Sequence, residues 1–270
     1  MRRLSIIVAL AGLAAALTGA QAQQLTEEQT LSADEFAVNN TWFVLYHELG
    51  HMLIHQFGIP VLGKEEDAVD NIATYSLLAQ QSPEADQALT DAIYGWELAD
   101  SQVEEFEVSD FYDEHSLDLQ RAYGITCLLV GSDPDGFADA ANYMEMDPDR
   151  QESCGFDFAQ VEASISALLQ PYLGTDQPIS VVYEDGGEVY GWAEEALKAS
   201  GVLELAATDI SASFALPRPI TIRATQCGEP NAFYDPETEE VSICYELVDM
   251  YFGMIAEDML MSDEEDAPQG

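Results

Sequence analysis

Residues 46–70, YHELGHMLIHQFGIPVLGKEEDAVD, set the strictest local demand in the chain. His47, His51 and His55 recur every four residues, and the apolar positions Phe36, Phe43, Leu49, Leu53 and Phe57 keep helical spacing around them. Ser32-Ala-Asp-Glu35 reads as a capping box that starts this helix. Gly58 and Pro60 stop it. The short loop beyond lets the chain reverse, so that KEEDAVD, opening a second helix expected over about residues 65–80, faces the histidines. Whatever else the chain does, it has to fold around a pair of helices with imidazoles on one and carboxylates on the other.

His47 and His51 leave the same helix face about one turn apart. Two imidazoles so placed can chelate one zinc ion, while Glu48 projects beside them towards a metal-bound water. The ion lowers the pKa of that water and the glutamate takes its proton, which is the chemistry of the HExxH pattern. His55 lies eight residues past His47, about 12 Å along a helix axis. One ion with bonds near 2 Å does not reach both, so His55 is read as a surface or supporting residue. The third ligand is expected from the second helix. Glu66 and Asp70 are four residues apart, which suits one carboxylate on the metal and the other on the distal N–H of a ligand histidine. Glu65 and Asp67 point away from that pair.

Peptide hydrolysis through such a site also needs a donor for the oxyanion. His115, the remaining histidine, is the candidate, against a competing reading as a surface or helix-capping residue. Tyr123, Arg121 and Tyr234 are further donors. Arg121 reads as half of a structural ion pair, and Tyr234 as packing in a hairpin.

The blocks YHELGHMLIHQFGIPVLGKEEDAVDNIAT, DEHSLDLQRAYGITCLLVGSDP and ALPRPITIRATQCGEPNAFYDPETEEVSICYEL resemble a family of exported bacterial proteins described as metallopeptidases. HExxH followed by a glutamate in an ExxxD helix is similar to the gluzincins. The resemblance implies that His47, His51 and Glu66 bind one Zn²⁺, that Glu48 is the base, that Asp70 orients a histidine, and that the reaction is peptide-bond hydrolysis. Zincins place a sheet before the HExxH helix, and only about ten residues of the mature chain precede it here. The expected fold is therefore α+β: a mainly helical zincin-like metallopeptidase fold with a small C-terminal sheet, its halves permuted relative to the usual order. Strands 219–226 and 232–245 should then border the helix carrying His47.

The remaining sequence fits that frame. Residues 1–22, with two arginines, an apolar run and a small-x-small site ending at Ala22, read as a signal peptide, so the mature protein is expected in the periplasm or secreted, with no stable membrane insertion. Losing Arg2 and Arg3 takes the formal charge from −43 to −45. That excludes nucleic acid as a partner, since phosphates would be repelled, and leaves peptide or protein substrates, cationic ones included, and metal ions as electrostatic matches. The four cysteines lie in the exported part, and nearest-neighbour pairing predicts Cys127–Cys154 and Cys227–Cys244 as disulfides.

Residues 23–176 read as a helical part, with further helices over 84–106, 115–131, 135–145 and 157–171. Residues 177–262 read as a strand-rich part of the same domain: a strand, one or two helices, a strand, a hairpin turning at Asp235-Pro236-Glu237-Thr238, and a last helix. Residues 263–270 read as a disordered acidic tail. SDPDGFADAANYME resembles a calcium loop, but the required register puts Gly131 first and Asn142 last, where acids are needed. Two rivals to the peptidase reading follow from the same residues: a non-catalytic zinc-binding interaction or structural module, and a metal-dependent amidase acting on cell-wall peptides.

Overall fold

A computed structural model describes residues 24–175 and 178–265, so the expected signal peptide lies outside the described residues. Helices α1 (Glu27–Phe57), α2 (Glu65–Leu78), α3 (Pro83–Ser101), α4 (Asp118–Ser132), α5 (Ala138–Tyr143) and α6 (Pro148–Leu169) form the first part. The second part runs β1 (Ser180–Tyr183), α7 (Gly187–Ser200), α8 (Val202–Ser213), β2 (Thr221–Thr225), β3 (Ala232–Asp235), β4 (Glu240–Cys244) and α9 (Tyr245–Glu265). The architecture is α+β and mostly helical, with one small four-stranded sheet among the described residues.

Helix α1 begins earlier than its sequence suggests. Thr26 caps it instead of Ser32: its hydroxyl accepts from Gln29 N at 3.2 Å, and Gln29 Oε1 accepts from Thr26 N at 2.9 Å. Two overlapping box-like patterns compete there, and the earlier one prevails because it adds more than a turn of helix. At the other end Gly58 adopts the left-handed conformation, φ 61°, that ends helices at low cost on glycine. Between these caps, residues 36–57 are buried on almost every face, as in a helix that forms the core instead of lying on it. Helices α2, α3, α8 and α9 and the β3–β4 hairpin surround it.

Other boundaries shift for local reasons. Helix α6 starts at Pro148, not near residue 157, because Asp147 accepts from Asp149 N and proline fits the first helical position. Helix α3 stops at Ser101 and α4 starts only at Asp118, leaving 102–117 as a long connection with one 3₁₀ turn, Val108–Phe111. Helix α9 runs to Glu265, into the segment read as a tail.

The strand order is β1-β2-β4-β3, parallel for β1–β2 and β2–β4 and antiparallel for β3–β4. Strand β3 is thus an edge strand, and the hairpin turn is fixed by Asp235, which accepts from Glu237 N and Thr238 Oγ1. One continuous apolar cluster joins Phe43 and Leu49 of α1 to Ile222 and Ile243 of the sheet and Val248 of α9. Both expected disulfides are present. Cys127–Cys154 ties α4 to α6, and Cys227–Cys244 ties the segment after β2 to the end of β4. No described helix is long and apolar enough to cross a membrane.

Candidate metal centre

The HELGH glycine sets the distance between the two helices of the site. A Cβ on Gly50 would meet Val69 Cβ and Cγ1 of α2 at 3.0 Å, so its absence lets α2 close on α1. That approach brings Glu66 onto the histidine face. Its Oε2 lies 3.1 Å from His47 Nε2 and 3.4 Å from His51 Nε2. These separations match the edge of a tetrahedron about an ion with bonds of ~2.0–2.1 Å, which is about 3.3 Å. The distal nitrogens are held from behind: His47 Nδ1 is 2.7 Å from Asp70 Oδ1, and His51 Nδ1 is 2.9 Å from Glu65 Oε1. Each ring is thereby turned so that Nε2 faces inward, the orientation a ligand histidine needs. Two imidazoles and one carboxylate oxygen, all within 4.8 Å of one another, fit a divalent ion such as zinc.

Glu65 therefore differs from its sequence reading. It does not point away from the site but supports His51, one residue before the carboxylate that joins the imidazoles. Asp67 does lie off the site, accepting from Ser116 Oγ at 2.7 Å.

Asp70 has a second partner that spacing could not reveal. Arg121 grips it with two bonds, Nε to Oδ2 at 2.7 Å and Nη2 to Oδ1 at 2.8 Å, and stacks 3.7 Å over the Trp96 ring. The result is a buried chain from Trp96 through Arg121 and Asp70 to His47. Nothing in the sequence ties residues 70, 96 and 121 together, because they come from three helices that meet only in the folded chain.

Electrostatics follow from this packing. Burial by itself would raise the Glu66 carboxyl pKa, but hydrogen bonds from His115, His47 and His51 hold it far below the usual range. Burial also opposes charge on Asp70, and His47 and Arg121 overcome it to lower that pKa. Burial would lower the His51 pKa, yet hydrogen bonds to Glu66 and Glu65 raise it to about 9. His47 is raised in the same way by Asp70 and Glu66. Glu48 behaves oppositely to the other acids. It is buried beside the two imidazoles, and desolvation raises its pKa against their attraction.

His115 reaches the centre from the long connection before α4. Its Nε2 is 3.0 Å from Glu66 Oε2, its ring stacks 6.4 Å from that of His47, and half of it is exposed. Lys64 Nζ donates to its carbonyl at 2.8 Å and holds the segment in place. His55 stays away from His47, His51 and Glu66 and bonds Tyr234 Oη at 3.0 Å. Tyr234 also donates to Glu239 at 2.7 Å, so it is more than packing. Tyr123 points elsewhere, donating to Met144 O.

These groups open into a cleft of about 610 Å³. Helix α1 supplies Val44, Glu48 and His55. Trp96 and Arg121 form the base, and Leu247, Met250 and Tyr251 of α9 form an apolar wall. The opposite rim is the edge strand, with Phe233 and Tyr234, and Asn231 just before it. A second group of potential ligands, Cys227, Cys244 and Glu246, is structural: the sulfurs are bonded to each other, and Glu246 accepts from Cys227 N and Gly228 N.

Neither a search of curated proteins nor a search of solved structures finds a match to this chain. Among protein-family models, one described as "Putative metallopeptidase" matches residues 5–169 and 187–269, which includes every side chain of the cleft. The chain belongs to that metallopeptidase family.

Proposed function

We propose that the protein is a gluzincin-like zinc metallopeptidase of permuted zincin-like fold that hydrolyses peptide bonds. The observation that carries the reading is the convergence of His47 Nε2, His51 Nε2 and Glu66 Oε2 on one point beside the buried Glu48, inside a cleft rimmed by an edge strand. The permutation is supported by strand order. An antiparallel edge strand lies against the HExxH helix, as substrate binding requires, but it comes from the C-terminal part of the chain.

His47, His51 and Glu66 would hold the ion, with Asp70 and Glu65 fixing the two rings. When bound, zinc supplies a Lewis acid that makes water a usable nucleophile near neutral pH. A peptide laid along β3 presents its carbonyl carbon above Glu48, and the carboxylate removes a proton from the attacking water. The raised pKa of Glu48 suits this task, because a base poised nearer the working pH transfers protons in both directions. The same carboxyl then delivers the proton to the leaving nitrogen as the C–N bond breaks. His115, whose Nε2 lies 3.0 Å from Glu66 Oε2, would turn that N–H from Glu66 to the oxyanion formed at the carbonyl once an ion takes up the Glu66 oxygen. The two disulfides suit an oxidising compartment, in keeping with export and cleavage near Ala22.

The deciding experiment is Glu48→Gln with zinc content and peptide cleavage measured together. The variant should retain its ion and lose about 10²–10⁴-fold in turnover. Unchanged cleavage would remove Glu48 from the mechanism. A wild type that binds zinc but cleaves no peptide in a library, while cleaving amides of cell-wall peptides or nothing at all, would favour the amidase or the non-catalytic module.

A further inference from the structure

The connection 102–117, whose end carries His115 into the cleft, is the most exposed apolar stretch of the described chain. Val103, Phe106, Val108, Phe111 and Tyr112 fall within ten residues, and Val108, Phe111 and Tyr112 are 79, 67 and 76% exposed. None of the five joins the core. Among the described residues, every hydrogen bond made by 104–112 stays within that stretch. The connection is tethered only at its ends, by Gln102 N and Val103 N to Ala99 O and Asp100 O of α3 and by Lys64 to His115 O and Ser116 to Asp67. Beside that tether, in the loop between α1 and α2, Leu62 is fully exposed. Phe106 and Phe111 pack only on each other, 6.2 Å between ring centroids; burying such side chains is worth about 1.5–3 kcal/mol each, and connections longer than about 12–15 residues are uncommon and are either functional or linkers. Leaving them in water is explained by a partner that covers them.

The chemistry of that partner is written in the same segment. Glu104, Glu105, Glu107, Asp110, Asp113 and Glu114 alternate with the apolar residues, and no lysine or arginine occurs between Lys64 and Arg121. Anionic lipid surfaces and acidic proteins would be repelled, whereas a polypeptide with both basic and apolar side chains meets complementary charge and apolar contact at once.

We propose that residues 102–114, with Leu62, form an exosite that captures a cationic amphipathic polypeptide and feeds it into the cleft past His115. The proposal rests on the metallopeptidase reading for the fate of the captured chain, not for its capture. Binding at the exosite therefore does not require the metal, while cleavage does.

The test uses the full chain stripped of metal and a fluorescein-labelled peptide of repeating Lys-Leu-Phe-Lys units, followed by fluorescence anisotropy. Wild type should bind it. The variant Phe106→Ser/Val108→Ser/Phe111→Ser/Tyr112→Ser, with circular dichroism unchanged, should bind about tenfold or more weakly. A peptide with Glu in place of Lys, and one with Ser in place of Leu and Phe, should each bind at least as poorly. With zinc restored, the variant should show a raised KM for the cationic peptide and an unchanged kcat. Equal binding of the charge-reversed peptide, equal binding by the variant, or preferential binding to anionic phospholipid vesicles would each overturn the exosite. Capture, with no peptide of a library cleaved, would uphold the exosite and refute the peptidase, while cleavage indifferent to the loop variant would do the reverse.

Discussion

Carboxylates are held differently in the cleft and in the rest of the molecule. In the cleft, Glu66, Glu65 and Asp70 face imidazoles and a guanidinium. Elsewhere, phenols often take that place: Tyr46 donates to Asp209 at 2.8 Å, Tyr94 to Asp258 at 2.6 Å, Tyr183 to Glu204 at 2.9 Å, and Tyr143 to Glu97. The cause is scarcity. Past residue 22 the chain has six lysines and arginines for 51 acids, and all four histidines plus Arg121 are committed to the cleft. A neutral donor satisfies a carboxylate without cancelling its charge, so the surface remains anionic even though Arg150, Lys198, Arg218 and Arg223 pair with acids outside the centre. The expected consequence is that breaking a cleft pair costs much more than breaking a phenol pair.

The sharpest way to break the comparison is Arg121→Ala. It strands a buried carboxylate that also holds His47, and should cost about 3–5 kcal/mol in chemical denaturation and weaken zinc binding. Arg121→Lys should restore part of the zinc affinity, since one ammonium cannot replace both bonds. A stability loss with unchanged zinc affinity would separate Arg121 from the centre.

Changing pH should come next. The folded pKa of His51, raised to about 9, exceeds the ordinary value near 6.5. Its stabilisation is therefore complete below about pH 6.5 and lost as pH rises through about 9. Metal-free protein should lose thermal stability across that window. Because the ion needs neutral imidazole, the Tm gain on adding zinc should grow over the same range. A Tm gain that is flat or shrinks from pH 6.5 to 9 would contradict the protonated pairing of His51.

Smaller still is Tyr46→Phe. It leaves Asp209 and Gln80, both bonded to the hidden Tyr46 hydroxyl, without that partner. A loss of about 1–3 kcal/mol, with zinc affinity unchanged, is expected in denaturant titrations. Least of all is Tyr183→Phe at its exposed pair with Glu204, expected to shift stability by no more than about 0.5 kcal/mol. If it cost as much as Arg121→Ala, scarcity of cations would not be what separates the two regions.

Much of the centre was legible because its parts are local. HELGH and KEEDAVD sit on two helices joined by one short loop, and helical periodicity alone puts His47, His51, Glu66 and Asp70 on facing surfaces. Both disulfide pairings followed from sequence proximity. Glu65 was misjudged because side-chain reach lets a residue off the main face still meet His51. Arg121 and Trp96 were illegible as a unit, since their meeting depends on how α3 and α4 pack against α2. The expected helices over 84–106 and 115–131 overrun the long connection by a few residues at each end, where the sequence lacks an apolar stripe with a core to bury it. The hairpin was readable from its turn, but its place beside α1 came from a resemblance and its departure in strand order, not from periodicity.

The orientation of β3 has a consequence for the order in which the molecule becomes competent. A ribosome that has released residues 1–130 has already made His47, His51 and Glu66, the candidate donors to an ion, yet the wall over Glu48 is built from residues 230–251. Because α1 packs against α8, α9 and the β3–β4 hairpin, the candidate ligands are made early but gain their full surroundings only with the last fifth of synthesis.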